Sequence, residues 1–313
     1  MLYWRLIIGI PTVVLFAALC YLDMWMSNKV EVRGIVLLPL FLVFLTFLCD
    51  EILDLLEAAG LHPRRSSVFF GTLSMAVCSW IACVYQGHQS DIVSGTVSSH
   101  AWPRTATASI VTLLVMAGGI MVAFVGEMRR YVKPGGTVSN LAGGMFAIMY
   151  IGLLSCFVIQ LRMAFGIGAV LSLIIVAKLC DTGAYTVGRI IGSHKMVPGI
   201  SPGKTIEGMI GGIAFSVFGA WLWFCVLYPW SFTTVWIPGS SHPTSFLGWF
   251  SFGIVIALSG ALGDLAASLI KRDVKRKDSS SWMPGFGGFL DLFDSLLFAA
   301  PLAYAWWAFG LVG

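Results

Sequence analysis

The stretch SLIKRDVKRKDSSSWMPGFGGFLDLFD, residues 268–294, gathers five basic residues, four carboxylates and a Gly-Gly pair within a strongly apolar chain. Just before it, Asp264 lies inside an apolar run. On a helix, Asp264, Ser268 and Lys271 occupy positions i, i+4 and i+7 and therefore share one face. Such a concentration of charge beside a membrane-like segment predicts a site of chemistry.

A second pair of acids follows the basic loop. Asp291 and Asp294 are three residues apart, so on a helix they point the same way. Carboxylates near the ends of two helices, joined by a basic loop, can hold a divalent metal and bind phosphate. The pattern therefore predicts a metal and phosphate site on this part of the chain.

The composition is that of an integral membrane protein. Of the 313 residues 58% are hydrophobic and 11% are charged, with a mean hydropathy of +0.88, whereas soluble domains carry about 25% charged residues. A transmembrane helix needs about 20 apolar residues. Such runs occur at nine places: 6–26, 34–49, 68–85, 107–125, 141–158, 164–180, 209–229, 247–270 and 295–312.

These runs predict an all-α fold, a polytopic membrane helical bundle with about nine transmembrane helices. They fill the chain, so we expect a single membrane domain over 1–313, with N-terminal helices in 1–160 and the motif-bearing helices and loops in 161–313. No small-x-small cleavage site follows the first run, which favours a span over a signal peptide.

The basic residues predict the orientation, because Lys and Arg are enriched in cytoplasmic loops. With the N-terminus inside, fourteen of them fall on the inner side and four on the outer side, which are Lys29, Arg33, Arg104 and Arg162. The 181–208 and 271–294 loops then face the cytoplasm. A site reached by soluble nucleotides is expected there, and the absence of a transit peptide favours a bacterial inner membrane.

Two polar segments are explained by structure alone, without a catalytic role. The stretch DEILDLLEAAG, residues 50–60, predicts an interfacial helix with Asp50, Asp54 and Glu57 on its wet face. Residues 86–105 predict an outer loop, whose two histidines lack Cys or carboxylate partners at metal-ligand spacing. The seven cysteines form no C-x-x-C pair and are expected to be core residues.

The stretch KLCDTGAYTVGRIIGSHKMVPGISPGKTIEG, residues 178–208, holds the second group of candidates. Asp181 ends the sixth apolar run, and a local pair with Lys178 or Arg189 would explain it without any function. Ser201-Pro202 predicts a helix N-cap followed by Pro at the first helical position. Lys204 would then lie in the first turn, where an anionic phosphate is favoured.

Together these segments resemble the phosphatidate cytidylyltransferase family. The resemblance rests on S-L-I-K-R-x4-K-D-x-S from Ser268, on P-G-x-G-G-F-L-D-x-F-D from Pro284, and on the upstream D-T-G-A-Y and S-P-G-K-T-I-E-G segments. It implies an enzyme that makes CDP-diacylglycerol from CTP and phosphatidic acid, releases pyrophosphate and uses a divalent metal. The partners implied are those substrates and membrane lipids, with a homodimer as a further expectation and no nucleic acid.

The resemblance also implies roles for individual residues. The metal is expected at Asp264, Ser268 and Asp291, as Mg²⁺ with a possible second monovalent or divalent cation. Catalytic roles are expected for Asp264, Asp291, Lys204, Lys271, Arg272, Lys277 and Asp278. Substrate binding is expected for Asp181, Arg189, Ser201, Lys204, Glu207, Gly287, Gly288 and Asp294, with Glu207 near enough to order Lys204 or to help hold the metal.

The chain departs from the family signature at two positions. Phe286 stands where the signature has His, and Leu292 stands where it has Arg. The chemistry does not demand that His, because the phosphate of phosphatidic acid is already ionised and nucleophilic at neutral pH. The main difficulty is the repulsion between two anions, which a metal and nearby bases offset. We therefore expect direct transfer in a site that needs no His.

Three other interpretations remain open at this point. A transporter could use Asp181 and Asp264 to carry protons or cations, although no internal repeat is visible. A different CTP-dependent membrane transferase could act on another lipid phosphate or alcohol. The bases from Lys271 to Lys277 could serve only topology and anionic lipid, but that explanation leaves the acids unaccounted for.

Overall fold

The computed structural model describes residues 2–30, 32–92, 104–132, 134–227, 245–280 and 287–312. Across these ranges the chain forms nine helices: α1 (Leu2–Val30), α2 (Leu37–Ala58), α3 (Arg65–Ile92), α4 (Arg104–Arg130), α5 (Thr137–Phe165), α6 (Ile167–Ile191), α7 (Ile206–Leu227), α8 (Phe246–Asp273) and α9 (Phe289–Ala308). A short antiparallel hairpin pairs β1 (Lys195–Val197) with β2 (Ser201–Thr205).

The predicted all-α polytopic membrane bundle is confirmed. Each of the nine apolar runs overlaps a helix, although the runs at 34–49, 164–180 and 295–312 include residues outside the helices. Seven helices in the described ranges are long and apolar enough to cross a membrane, namely α3 to α9. Helices α1 and α2 do not meet these criteria of length and apolar composition. Helix α2 carries four acids at Asp50, Glu51, Asp54 and Glu57, and the apolar stretch found in α1 is the shorter Val14–Ser27.

The chain divides into two compact units. The first comprises Met1–Ala164 and Asp278–Leu292, and the second comprises Phe165–Lys277 and Phe293–Gly313. Helix α9 therefore begins in the first unit and continues in the second. The single membrane domain over 1–313 remains a prediction.

Small residues allow the helices of each unit to approach closely, as is usual in membranes. In the first unit a Cβ added to Gly119 of α4 would lie 3.2 Å from the Cα of Gly71 in α3. In the second unit Gly211 of α7 packs directly against Val187 of α6. The hydroxyl of Ser216 in α7 donates to the Gly253 carbonyl of α8 at 2.8 Å.

A buried ion pair joins three helices of the first unit. Asp23 of α1 is fully buried and accepts from Arg162 of α5, with Oδ2 2.9 Å from Nε. Its Oδ1 accepts from the backbone N–H groups of Val36 and Leu37 at 3.0 and 3.3 Å, where α2 begins. Arg162, predicted as an outer-side charge, is thus a buried counterion.

Residues 50–58 continue α2 without a break and do not form a helix of their own, so the interfacial position expected for residues 50–60 stays a prediction. No Gly or Pro separates them from the apolar run before them. The acids Asp50, Asp54 and Glu57 do lie on an exposed face, where all three bind Arg65 at the start of α3. That shared cation supports their plain structural interpretation.

Two boundaries in the second informative stretch also differ. Helix α6 continues past Asp181 to Ile191, so the acid lies within the helix. Ser201 is not an N-cap, because it begins strand β2, and α7 starts at Ile206. Its N-cap is Thr205, which has extended backbone angles and whose hydroxyl accepts from the Gly208 N–H at 3.1 Å.

Both ends of the segment predicted as an outer loop over residues 86–105 are helical, because α3 extends to Ile92 and α4 begins at Arg104. The same holds for the 271–294 loop. Helix α8 runs through Lys271 and Arg272 to Asp273, and α9 begins at Phe289. Phe286 and His100, one of the two histidines of residues 86–105, lie outside the described residues.

Candidate active site

The second unit brings two of the predicted segments together at one ion pair. Lys204 Nζ lies 2.7 Å from Asp264 Oδ2, and the same ammonium is 3.4 Å from the carbonyl oxygen of Ala261. Ser268, one turn further along α8, has its hydroxyl 3.5 Å from Asp264 Oδ1. Lys204 belongs to strand β2, and the next helix begins two residues later at Ile206. The prediction that Lys204 lies in a first helical turn is therefore wrong.

More charge surrounds this pair. Asp294 of α9 is buried at 4% exposure, and Lys271 of α8 is buried at 8%. Asp264, Lys271 and Lys178 all interact electrostatically with the Asp294 carboxylate. The backbone of α9 at Asp294 packs directly on Gly263, which leaves no room there for a Cβ. We call Lys204, Asp264, Lys271 and Asp294 the charged cluster.

The hairpin that carries Lys204 is fixed to its surroundings by further contacts. Arg272 of α8 donates from Nε to the Ile200 carbonyl at 3.1 Å. Glu207 accepts from the His194 backbone N–H at 3.1 Å, and its Oε1 lies 2.6 Å from His194 Nδ1. Glu207 therefore pairs with His194 across the base of the hairpin, and its expected roles of ordering Lys204 or helping to hold the metal stay predictions.

Three other predicted residues have local partners or face outward. Asp181 pairs with Lys178 at 3.0 Å, as its structural explanation predicted. Arg189 Nη1 lies 3.0 Å from the Tyr185 hydroxyl one turn earlier on α6. Lys277 follows α8 and is exposed. These residues, like Ser201, remain predictions as substrate-binding or catalytic groups.

The first unit holds the end of the signature. Asp291 Oδ2 accepts from the backbone N–H groups of Ser279 and Gly288 at 3.0 and 3.1 Å, and lies 3.1 Å from the Ser279 hydroxyl. Gly287 has a left-handed φ of +86°, and a Cβ there would lie 2.7 Å from Asp291 Oδ2. The adjacent Asp278 is exposed. The Gly-Gly pair thus shapes a tight turn around Asp291.

Sequence reasoning missed Glu51 of α2. It is 4% exposed, and its two oxygens accept four hydrogen bonds from Ser279, Ser280, Phe289 and Leu290. A signal was present. Glu51 is three residues after Leu48 and four before Leu55, so it lies on the apolar stripe and not with the exposed acids of α2.

The donor chemistry fits Mg²⁺ better than a transition metal. Across the described ranges, no three His, Cys, Asp or Glu side chains are grouped as a metal site. Mg²⁺ is commonly held by one or two carboxylates together with water and substrate phosphates. Asp264, with 41% of its side chain exposed and a serine hydroxyl beside it, offers that kind of oxygen ligand.

A family model described as the cytidylyltransferase family matches residues 3–309, nearly the whole chain. The chain belongs to the cytidylyltransferase family. This match includes the N-terminal helices as well as both motif-bearing segments.

Bacterial members with curated names show the same similarity. A phosphatidate cytidylyltransferase of Staphylococcus aureus is 34% identical over 204 residues, covering 65% of this chain and 71% of that protein. Proteins of the same name from Bacillus subtilis and Staphylococcus epidermidis are 34% and 36% identical over 160 residues, with 50% of this chain and 55% of each relative covered.

Proposed function

We propose that this chain is a phosphatidate cytidylyltransferase, which transfers CMP from CTP to phosphatidic acid. A phosphate oxygen of phosphatidic acid attacks the α-phosphorus of CTP, and the bond from that phosphorus to the bridging oxygen breaks. The products are CDP-diacylglycerol and pyrophosphate. The observation that carries this proposal is the family match over residues 3–309, which includes every motif named above.

The charged cluster supports this chemistry. Two anionic substrates must meet, and the cluster supplies two ammonium groups: Lys204 pairs with Asp264, and Lys271 interacts electrostatically with Asp294. Positive charge fixed where negative charge develops lowers the barrier of phosphoryl and nucleotidyl transfer. The Lys204 side chain is 25% exposed, so substrate phosphate can reach it.

No side chain is required as a general base in this reaction. The attacking phosphate carries its negative charge in neutral solution, and pyrophosphate leaves as an anion. The work of the protein is therefore to align the two phosphates and to offset their repulsion. Phe286 in place of the family His is compatible with a reaction that needs no general base.

We propose Mg²⁺ as the cofactor, with Asp264 and Ser268 as ligands in the second unit. Asp291, in the first unit, is the other acid that the sequence assigns to metal. Bound Mg²⁺ would neutralise phosphate charge and help the pyrophosphate leave. Asp264 also accepts from Lys204, so one carboxylate supplies both the metal ligand and the anchor for a phosphate-binding base.

We also propose the finer location and assembly. The site faces the cytoplasm of a bacterial cell, where CTP is present. This proposal rests on the distribution of Lys and Arg among the loops and on the bacterial origin of the relatives. A homodimer is proposed from the family resemblance alone.

Purified protein in detergent with phosphatidic acid provides the test. We expect pyrophosphate release from CTP that requires both phosphatidic acid and Mg²⁺, together with a CDP-diacylglycerol product identified by mass spectrometry. Parallel reactions with an isoprenoid phosphate and a lipid alcohol test other acceptors. Preferential turnover of one of these would assign the chain to a different CTP-dependent transferase, and no CTP use with any acceptor would contradict the proposal.

A further inference from the structure

The Glu51 carboxylate on α2 accepts hydrogen bonds from residues at and before the start of α9, which lie far away in sequence. Its Oε1 accepts from the Ser280 hydroxyl at 2.7 Å and from the Phe289 N–H at 2.8 Å. Its Oε2 accepts from the Ser279 hydroxyl and the Leu290 N–H, both at 2.8 Å. Four donors from one short segment therefore converge on a single buried carboxylate.

This arrangement solves a problem at the helix start. The first backbone N–H groups of a helix have no partner within the helix, and a negative charge is favoured there by the helix dipole. Glu51 binds two of these groups, those of Phe289 and Leu290. One turn earlier on α2, the Phe47 ring stacks on the Phe289 ring with centroids 4.7 Å apart, so α2 holds Phe289 at two points.

Ser279 links the Glu51 carboxylate to the Asp291 carboxylate. The Ser279 hydroxyl contacts Glu51 Oε2 at 2.8 Å and Asp291 Oδ2 at 3.1 Å, and the Ser279 N–H donates to Asp291. Gly288 donates to the same oxygen of Asp291 at 3.1 Å. A Cβ on Gly288 would lie 2.7 Å from Glu51 Oε1, so the turn fits closely against the Glu51 carboxylate.

We propose that Glu51 is a positioning residue for the reaction, acting by holding the Asp291 carboxylate and the Ser279–Ser280 segment in place. It touches no reacting group and works through its four hydrogen-bond donors. This inference rests on the proposed function, because Asp291 is assigned to the site by the family signature. It adds to that signature a residue from an N-terminal helix.

A carboxylate is required at this position because all four partners donate. A glutamine would keep one acceptor oxygen and place an NH2 group against one hydroxyl and one backbone N–H, whichever way the amide is turned. The hydroxyl can rotate to accept, but the backbone N–H cannot. Glu51→Gln therefore preserves the shape of the side chain while setting two donors against each other.

The matched control is Glu57→Gln, the same chemical change less than two turns further along α2. Glu57 is 38% exposed and shares Arg65 with Asp50 and Asp54, so two carboxylates continue to hold that arginine. It has no place in the proposed site. We expect its turnover and its hydrogen exchange to match those of the wild type.

The experiment compares steady-state kinetics, hydrogen–deuterium exchange and melting temperature for wild type, Glu51→Gln and Glu57→Gln. For Glu51→Gln we expect kcat per folded molecule to fall about 10- to 100-fold, the range seen when a group that orients a functional ligand is changed. The KM for CTP should change less than about threefold, because the loss affects the transition state more than binding. Exchange in the peptide covering residues 287–292 should accelerate at least about tenfold.

Two other outcomes overturn the inference. A melting temperature that falls while kcat and KM stay at wild-type values would make Glu51 structural only. A fall in kcat without faster exchange in 287–292 would mean that Glu51 does not act by holding this segment. Wild type that is inactive on CTP and phosphatidic acid would instead contradict the proposed function, and the exchange data would still report whether Glu51 holds the segment.

A second variant covers the case in which Glu51→Gln does not fold. Ser280→Ala keeps the carboxylate and removes one of its four donors. We expect kcat to fall about 3- to 10-fold, in line with the loss of one hydrogen bond, with a smaller increase in exchange. Wild-type kcat and exchange in this folded variant would overturn the proposal.

Discussion

The ion pair between Lys204 and Asp264 determines what substitution of each residue should do. Asp264→Asn removes the charge and keeps the side-chain size. Because the two side chains are 25% and 41% exposed, the pair stabilises the fold by at most about 1 kcal/mol, and the variant should fold. Turnover should fall at least about 100-fold, because the carboxylate that offers a metal ligand has lost its charge.

Formation of CDP-diacylglycerol at saturating substrates and ordinary Mg²⁺ measures this effect. The control is Asp273→Asn, the same change at an exposed position near the end of the same helix. Near-normal turnover in Asp264→Asn would remove Asp264 from the proposed site.

Lys204→Ala should weaken the use of CTP. One charge-assisted contact to phosphate is worth roughly 1.5–3 kcal/mol, or about one to two decades in kcat/KM. Lys275→Ala is the control, because Lys275 is exposed and lies at a variable position of the signature. If Lys204→Ala changes only the KM for phosphatidic acid and leaves the KM for CTP unchanged, Lys204 would instead be assigned to binding the lipid substrate.

Phe286→His restores the residue of the family signature and tests whether a histidine is needed. We expect an active wild type whose rate shows no titration near pH 6.5 from a catalytic His. The substitution should change the rate by well under the 10²–10⁴-fold typical of general acid–base groups. The assay covers pH 5.5 to 9 and includes the double variant with Leu292→Arg. Inactive wild type revived by either change would show that this chain has lost the activity.

How far the sequence predicts the site depends on how local its contacts are. The shared face of Asp264, Ser268 and Lys271 follows from helical periodicity, and all three lie on α8 as predicted. The four partners of Glu51 are 228 to 239 residues away in sequence. No periodic pattern reports such contacts, so only the position of Glu51 on an apolar stripe hinted at them.

At the level of elements, the apolar runs predicted where helices occur better than where they end. The start of α7 shows why. Ser201 and Thr205 are both good N-cap residues, and the choice between them was made by the pairing of β2 with β1. The hairpin strands contain three and five residues, too few for the alternation that identifies a strand in a sequence.

The buried pair of Asp23 and Arg162 should control the stability of the first unit. Arg162→Ala leaves the fully buried Asp23 without its counterion, and breaking a buried pair costs about 3–5 kcal/mol. Denaturant unfolding in detergent micelles measures the change. Arg129→Ala, at an exposed position of α4, serves as the control.

The double variant Asp23→Ala with Arg162→Ala separates the pair from simple packing. It should be more stable than Arg162→Ala alone, because the unpaired charge is gone. A double variant less stable than either single one would mean that the two residues contribute independently.

For the whole molecule, the distribution of basic residues predicts the topology. Fourteen bases fall on the inner side of the predicted orientation and four on the outer side, and one of those four, Arg162, is paired with a buried acid. Single cysteines at Ser240 and Arg276, on a background without native cysteines, should react with an impermeant thiol reagent from opposite faces of the membrane. Labelling of both from the outside would contradict the predicted orientation.

The hydrogen bonds between Glu51 and the start of α9 also have a consequence for biosynthesis. Glu51 precedes Ser279 by 228 residues, which ribosomes take about 10–45 s to add at 5–20 residues per second. During that interval the carboxylate has none of its four donors, and an ionised side chain is costly to keep in an apolar setting. A nascent chain interrupted before residue 279 therefore retains an unsatisfied acid in α2. Membrane quality-control proteases could then recognise this unpaired carboxylate, which is fully hydrogen-bonded in the finished protein.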